Sequence, residues 1–231
     1  MSEPFTIVFA VYPGITQLDF TGPYEVLSRL PGAECIVAST KGEPITVAGG
    51  LIFANIRRIA DVSGCELLCV PGGHGTVEAM GDMALLDNLR RLATSARYVT
   101  SVCTGSLLLG AAGLLAGRRA ACHWAWRDGL SNFGALPDPA RVVRDGNVFT
   151  GGGVTAGIDM ALTVMAEVAG EDYAKVVQLG IEYAPQPPFQ AGRPEQAGPE
   201  LVATIMARLE ATRPGREAAI QAAAKRLAGA R

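Results

Sequence analysis

Histidine is scarce in this chain, charge of either sign is nearly cancelled, and no hydrophobic run is long. Only His74 and His123 occur among 231 residues. The five cysteines follow no framework spacing, and although Cys65 and Cys69 lie close together, no second cysteine or histidine pair completes a tetrahedral set. No metal site is therefore expected. An odd, scattered cysteine count also argues against a disulfide scaffold and for a reducing, cytoplasmic setting. A formal net charge of −2 gives no electrostatic reason to expect nucleic acid as a partner. No apolar stretch approaches the ~20 residues of a membrane span, and Arg118-Arg119 close the longest candidate, so no membrane partner is expected either. The chain opens with Glu3 and no basic cluster, which makes Phe5 to Val11 a first strand and not the core of a signal peptide. Internal repeats and low-complexity linkers are absent as well.

What is present is a chain with 49% hydrophobic residues, enough for a well-buried core. Apolar, β-branched runs at Phe5 to Val11, Cys35 to Ser39, Glu66 to Val70 and Tyr98 to Val102 read as strands. Between them lie helical stretches: Tyr24 to Leu30, a segment with Leu85, Leu86, Leu89, Leu92 and Ala96 on one face, and Leu107 to Leu115. Residues 43–53 read as a hairpin or meander. Arg119 to Cys122 reads as a strand and Trp124 to Phe133 as a helix. Val142 to Thr150 reads as a hairpin turning at Asp145-Gly146, followed by Gly151-Gly152-Gly153 and a helix carrying Ile158, Leu162 and Met165. Glu171 to Tyr183 is read as helical. A last amphipathic stretch starts near Pro199, is interrupted at Pro214-Gly215, and ends in Lys225, Arg226 and Arg231, read as a solvated face. The alternation predicts an α/β domain over residues 1–198 with a doubly wound, largely parallel sheet and helices on both faces. Residues 199–231 are expected to form a helical extension packed on that domain or on a dimer partner.

The stretch around Cys103 stands out. A buried strand runs through Val102 into Cys103-Thr104-Gly105-Ser106 and then into an apolar helix, the order of a nucleophile elbow with cysteine at the bend. Such a turn aims the side chain into a cleft, and the helix N-terminus behind it is expected to acidify the thiol. The plainer alternative is one more inert, buried cysteine. Ligands in doubly wound sheets bind beyond the carboxyl ends of the strands, and four strands here end in unusual chemistry. Asp19 follows the first, Gly72-Gly73 another, Cys103 the central one, and Gly151 to Gly153 the hairpin. That convergence favours a functional Cys103. For Asp19 a helix N-cap is an equal alternative; for Thr104, simple helix capping; for Gly72 and Gly73, a plain tight turn. His123 is read first as a core residue and His74 as a surface one. The glycine run is not expected to cradle phosphate, since no Lys-Ser or Lys-Thr signature follows it.

These motifs resemble the PfpI-like superfamily, relatives of the class I glutamine amidotransferases, and within it the isocyanide hydratases. The similarity is carried by Gln17-Leu18-Asp19-Phe20-Thr21-Gly22-Pro23, by Val99 to Ser106, and by Arg144-Asp145-Gly146-Asn147. It continues through Gly151 to Asp159 and Glu182-Tyr183-Ala184-Pro185, and it covers nearly the whole chain. Related hydrolases often place a histidine directly after the nucleophile; here that position is Thr104, which disfavours peptide hydrolysis and favours the isocyanide hydratases, which share the Cys-Thr order. The resemblance implies a flavodoxin-like, glutamine amidotransferase-like fold, a cytoplasmic homodimer, no cofactor, and an isocyanide as the small-molecule substrate.

On that resemblance Cys103 is expected to add to the isocyanide carbon, giving a thioimidate that water converts to an N-substituted formamide. Asp19 is expected to carry protons, and Thr104 to hold the nitrogen or the sulfur. Gly72, Gly73, Gly152, Gly153 and Val154 are expected to line the substrate pocket, mostly through backbone. The competing readings are hydration of glyoxal-type dicarbonyls, ligand sensing as in AraC-type regulators, and redox sensing at Cys103. The ~30 residues after Gly198 are fewer than the ~50 of a single helix-turn-helix module, which counts against a regulator.

Overall fold

The structure is a computed structural model and describes residues 4–229. Glu3 and Arg231 lie outside the described residues, as do the outer ends of segments 1–198 and 199–231. In chain order the strands are β1 (Phe5–Ala10), β2 (Ala33–Ser39), β3 (Ile45–Thr46), β4 (Ile52–Phe53), β5 (Arg57–Arg58), β6 (Leu67–Val70), β7 (Tyr98–Val102), β8 (Arg119–Ala120), β9 (Leu136–Pro137), β10 (Val142–Asp145) and β11 (Val148–Gly151). The helices are α1 (Gln17–Leu27), α2 (Thr76–Ala79), α3 (Met83–Ser95), α4 (Gly105–Ala111), α5 (Ala156–Ala169), α6 (Glu171–Gly180), α7 (Pro194–Ala197), α8 (Pro199–Glu210) and α9 (Arg213–Gly229).

The apolar strands β1, β6 and β7 occupy the middle of a sheet of order β10-β11-β7-β6-β1-β2-β5, where strands covered on both faces belong. Its pairs are parallel except β10 with β11, which are joined by the Asp145-Gly146 hairpin. From β1 the chain crosses through α1 to β2 on one side. From β6 it crosses through α3 to β7 on the other. Such crossovers are right-handed, so α1 and α3 cover opposite faces. Accordingly α1 packs on α5 and α5 on α6, while α3 packs on α4, and α4 on α2 and α9. The change of direction between β1 and β6 opens a crevice beyond their carboxyl ends. The loops following β1 and β6 are stitched together there: Thr16 N–H donates to the Gly72 carbonyl at 2.8 Å, and Ile15 pairs with Gly73.

Several elements differ from the sequence expectation. The first helix begins at Gln17, not Tyr24, because the buried set Phe20, Val26 and Leu27 outweighs the interior Gly22 and Pro23. Cys122 falls outside the short β8, which pairs with β9 apart from the main sheet. Trp124 to Phe133 is not an α-helix; residues Arg127–Phe133 form a 3₁₀ segment that ends on Gly134. The C-terminal break falls at Ala211-Thr212, before Pro214, since proline in a first turn forfeits no helical hydrogen bond. Helix α9 lies on the domain with Arg216, Ile220 and Ala223 buried. Arg226 stays exposed and also donates to the Met80 carbonyl at 2.7 Å. Helix α8, by contrast, has no fully buried residue. Among the described residues no helix is long and apolar enough to cross a membrane.

Candidate active site

With β7 ending at Val102 and α4 starting at Gly105, Cys103 and Thr104 must redirect the chain within two residues. Cys103 takes up the turn with φ 57°, a left-handed conformation that costs a side-chain-bearing residue about 1–3 kcal/mol. Its N–H still donates to the Gly151 carbonyl at 2.9 Å, so the β7–β11 ladder runs up to the bend. Close approach of the neighbouring loop requires glycine at two positions. A Cβ at Gly105 would collide with the Val70 carbonyl, and one at Gly72 with the Thr104 backbone nitrogen.

Asp19 reaches the elbow from the first turn of α1 and is fully buried. It caps no helix; the N-cap position is Thr16, and the Asp19 side chain points elsewhere. Its Oδ2 accepts the Gly72 N–H at 3.0 Å. Its Oδ1 is, among the described residues, the buried side-chain polar atom left without a well-formed hydrogen bond. The Cys103 thiol lies close enough that each group alters the other's proton affinity. Burial pushes the Asp19 carboxyl up to about 7, against the opposing pull of the Gly72 N–H and of Cys103. Burial also pushes the Cys103 thiol well above its ordinary value. Asp19 and Cys122 add to that rise, and the Thr104 N–H opposes it. The expectation of a thiol acidified by the helix is thereby corrected: α4 is only seven residues long, and desolvation outweighs its N-terminus. The ligand-free pair is a neutral thiol beside a carboxyl that ionises near neutrality, and the two titrate as a unit.

Thr104 adjoins this pair, but its hydroxyl is already occupied. It accepts the Gly73 N–H at 2.8 Å and lies 2.8 Å from the Thr76 hydroxyl. Thr76 in turn lies 3.0 Å from the Tyr12 hydroxyl, which donates to the Pro71 carbonyl at 2.8 Å. With the Tyr12 proton committed to Pro71, the Thr76 proton goes to Tyr12, and the Thr104 proton is shared between Thr76 and the Gly73 carbonyl at 3.2 Å. This buried relay fixes the Pro71-Gly72-Gly73 loop, and so the backbone donor to Asp19, against the elbow. It caps no helix end: α4 has no side-chain cap.

Cys103 is only 5% exposed, yet it forms part of the wall of a cavity of about 230 Å³. Thr16, Gly73, His74 and Thr104 line one side of that cavity; His123, Trp126, Val154, Ile205 and Leu209 line the rest. Gly73 and Val154 thus line one cavity with the sulfur. Gly72 lies behind the cavity and holds Asp19. Gly152 and Gly153 line a neighbouring recess with Cys122 and His123, around the corner from the sulfur. His123, read first as core, is half-buried and borders both spaces. Its Nδ1 accepts the Ala125 N–H at 3.3 Å, and burial, then the nearby His74, lowers its pKa. Sequence reasoning missed Tyr12, Thr76, Trp126, Ile205 and Leu209. For the last two a signal existed in the Leu201, Ile205, Leu209 spacing of one helical face.

A model of the DJ-1/PfpI family matches residues 5–167. The isonitrile hydratase of Pseudomonas putida is 50% identical over 196 residues, which cover 85% of this chain and 86% of that protein. Among solved structures, a THiJ/PfpI family protein from Pseudomonas syringae superposes with a TM-score of 0.88 at 40% identity, covering 96% of this chain and 90% of that one. Drosophila melanogaster DJ-1beta superposes with a TM-score of 0.70 at 25% identity, covering 80% and 100%. The family match ends within α5, so α8 and α9 lie beyond it.

Proposed function

The chain belongs to the DJ-1/PfpI family, and from that premise we propose that it is an isocyanide hydratase, converting R–N≡C and water to the N-substituted formamide R–NH–CHO. The observation that carries the reading is the pairing of Cys103, in the wall of the cavity, with Asp19 buried behind it, a nucleophile next to a carboxyl that titrates near 7. The 50% identity to an isonitrile hydratase supports the same substrate class, isonitrile and isocyanide being one functional group.

The chemistry needs three proton movements, and on this reading Asp19 serves each. As the Cys103 sulfur bonds to the terminal isocyanide carbon, Asp19 takes the thiol proton and delivers it to that carbon, giving Cys–S–CH=N–R. Water then adds to the carbon while Asp19 relays a proton to nitrogen, giving Cys–S–CH(OH)–NH–R. Collapse of the hydroxyl to a carbonyl breaks the C–S bond, and the hydroxyl proton returns to sulfur. The unpartnered Oδ1 of Asp19 is the atom free to carry that proton; Oδ2 stays engaged with Gly72. Thr104 acts as a positioning residue through Gly73. Gly73 and Val154 form the pocket wall beside the sulfur, and Gly152 and Gly153 line the neighbouring recess.

The same reading makes the protein a cytoplasmic homodimer. All five cysteines are free thiols, which suits a reducing compartment, and Val176 and Leu179 on α6 present an exposed apolar pair that a second copy would cover. The deciding experiment is incubation with para-nitrophenyl isocyanide, followed by identification of the formamide. Cys103→Ala is expected to abolish product, and the wild-type enzyme is expected to show substrate mass on Cys103 during turnover. Unchanged activity in Cys103→Ala would reject the reading.

A further inference from the structure

The Cys103 cavity has a neighbour along α8. A second recess of about 300 Å³ lies beyond it, lined by Trp124, Pro194, Ala197, Leu201, Val202 and Ile205 among others. Ile205 belongs to the walls of both spaces. Helix α8 links them. Leu201, Ile205 and Leu209 follow one another at four-residue intervals along one helical face. Leu209 faces the cavity at the sulfur, Ile205 the boundary, and Leu201 the outer recess. At about 1.5 Å of rise per residue this apolar stripe runs about 12 Å. Leu201 and Ile205 are 53% and 37% exposed, so both still have apolar surface to give up. Arg193 and Arg208 edge the outer recess, their aliphatic stems adding apolar cover while their charged heads reach water.

Resting on the hydratase reading, we propose that α8 is the specificity element of this enzyme and that the outer recess holds the N-substituent of an isocyanide carrying a bulky or elongated apolar group. The C–N≡C axis of an isocyanide is linear. Once its terminal carbon meets the Cys103 sulfur, this rigid axis holds the substituent away from the elbow. Gly73, His74 and Thr104 give it little apolar surface, whereas Trp126, Val154, Ile205 and Leu209 do, and of these Ile205 leads on to the outer recess. A methyl group stays within the inner cavity. An aryl or longer alkyl group passes Ile205 and covers the stripe as far as Leu201. Burying that surface is the interaction by which substrates are told apart.

The test compares methyl isocyanide with 2-naphthyl isocyanide in the wild-type chain, in Ile205→Trp, which narrows the passage, and in Leu201→Asp, which makes the outer wall polar. In each variant the ratio of kcat/KM for 2-naphthyl over methyl isocyanide is expected to fall by roughly tenfold, equivalent to about 1.4 kcal/mol of lost discrimination. Both positions are partly exposed, so folding should persist; circular dichroism checks this in the same samples, and milder Leu201→Ser substitutes if either variant fails to fold. A ratio unchanged in the folded variants overturns the role of α8 while leaving the hydratase reading standing. A wild-type chain that hydrates neither isocyanide overturns that reading, and this proposal with it.

Discussion

Asp19, on the first turn of α1, and Cys103, at the end of β7, reach the same desolvated site from the two strands flanking β6, and Asp19 makes the Cys103 thiolate harder to produce. Two charges there are costly, so the pair keeps at least one proton in the working pH range. Adding a second proton, at about 7, occupies the carboxylate that must receive the thiol proton. For the isocyanide reaction kcat/KM should therefore be low in acid, rise about tenfold per pH unit, and level off above roughly pH 7. In Asp19→Asn the rate should be far lower and this inflection lost. Initial rates across the pH range in both proteins check the assignment; an inflection that persists in Asp19→Asn would mean another group controls it.

The same burial has a consequence for stability. In the folded chain the Asp19 carboxyl titrates near 7, whereas exposed in the unfolded chain it returns to its ordinary 3.8. The folded state holds that proton more tightly, so the stabilisation is fully present below about pH 4, declines as pH rises through 7, and is then lost. Asparagine does not titrate and retains an oxygen for the Gly72 N–H. Asp19→Asn should therefore gain on the wild type as pH rises, by as much as about 1.4 kcal/mol for each unit by which the carboxyl is shifted. Urea unfolding at about pH 5 and pH 8 tests it: the difference between the two proteins should widen at the higher pH.

The residues that made the site readable from sequence were those whose chemistry is local. Cys103 followed by Thr104 and Gly105 after a buried strand announces a bend, and the structure adds that Cys103 takes a left-handed φ there. The parallel core was legible for a similar reason, since β1, β6 and β7 are apolar throughout. What local pattern does not carry is desolvation: nothing near Asp19 in sequence shows that α1 begins early enough to bury it. Nor does it carry non-local pairing. The Tyr12, Thr76 and Thr104 relay joins three separate segments, and the roof over Cys103 comes from α8, far along the chain.

That relay makes Thr104 sensitive in a particular way. Thr104→Val keeps the shape but removes the acceptor for the buried Gly73 N–H and the donor to Thr76. An unsatisfied buried donor costs about 1–3 kcal/mol, so Thr104→Val should lower the urea midpoint clearly, whereas Thr104→Ser, which retains the hydroxyl, should lose much less. If Thr104→Val proved as stable as Thr104→Ser, the relay would not be what fixes the Gly73 loop.

The strained turn predicts an inverted order of small residues. At ordinary positions alanine is the more stabilising replacement; at φ 57° it keeps the steric penalty that glycine escapes. Cys103→Gly should therefore be more stable than Cys103→Ala by about 1 kcal/mol, and neither should hydrate an isocyanide. Parallel thermal melts of the two inactive proteins settle the point. Alanine above glycine would show that the elbow relaxes once the sulfur is gone.

Arg216 offers a way to perturb the cavity from behind. It lies buried on α9 with its guanidinium 4.7 Å from the centre of the Trp126 ring, and it makes a 3.4 Å contact to the Ala125 carbonyl. Among the described residues no carboxylate pairs with it, so the indole face is its main electrostatic partner. Trp126 in turn forms part of the wall facing Cys103. Arg216→Met keeps the apolar stem while removing the charge over the ring, an interaction worth about 1–2 kcal/mol at a desolvated site. If Arg216 positions Trp126, the variant should raise KM several-fold with kcat little changed, and should shift tryptophan fluorescence. Arg216→Lys should recover part of both, because an ammonium also interacts with the ring but lacks the planar stacking surface. A purely structural role would lower the melting temperature without moving KM in the protein that remains folded.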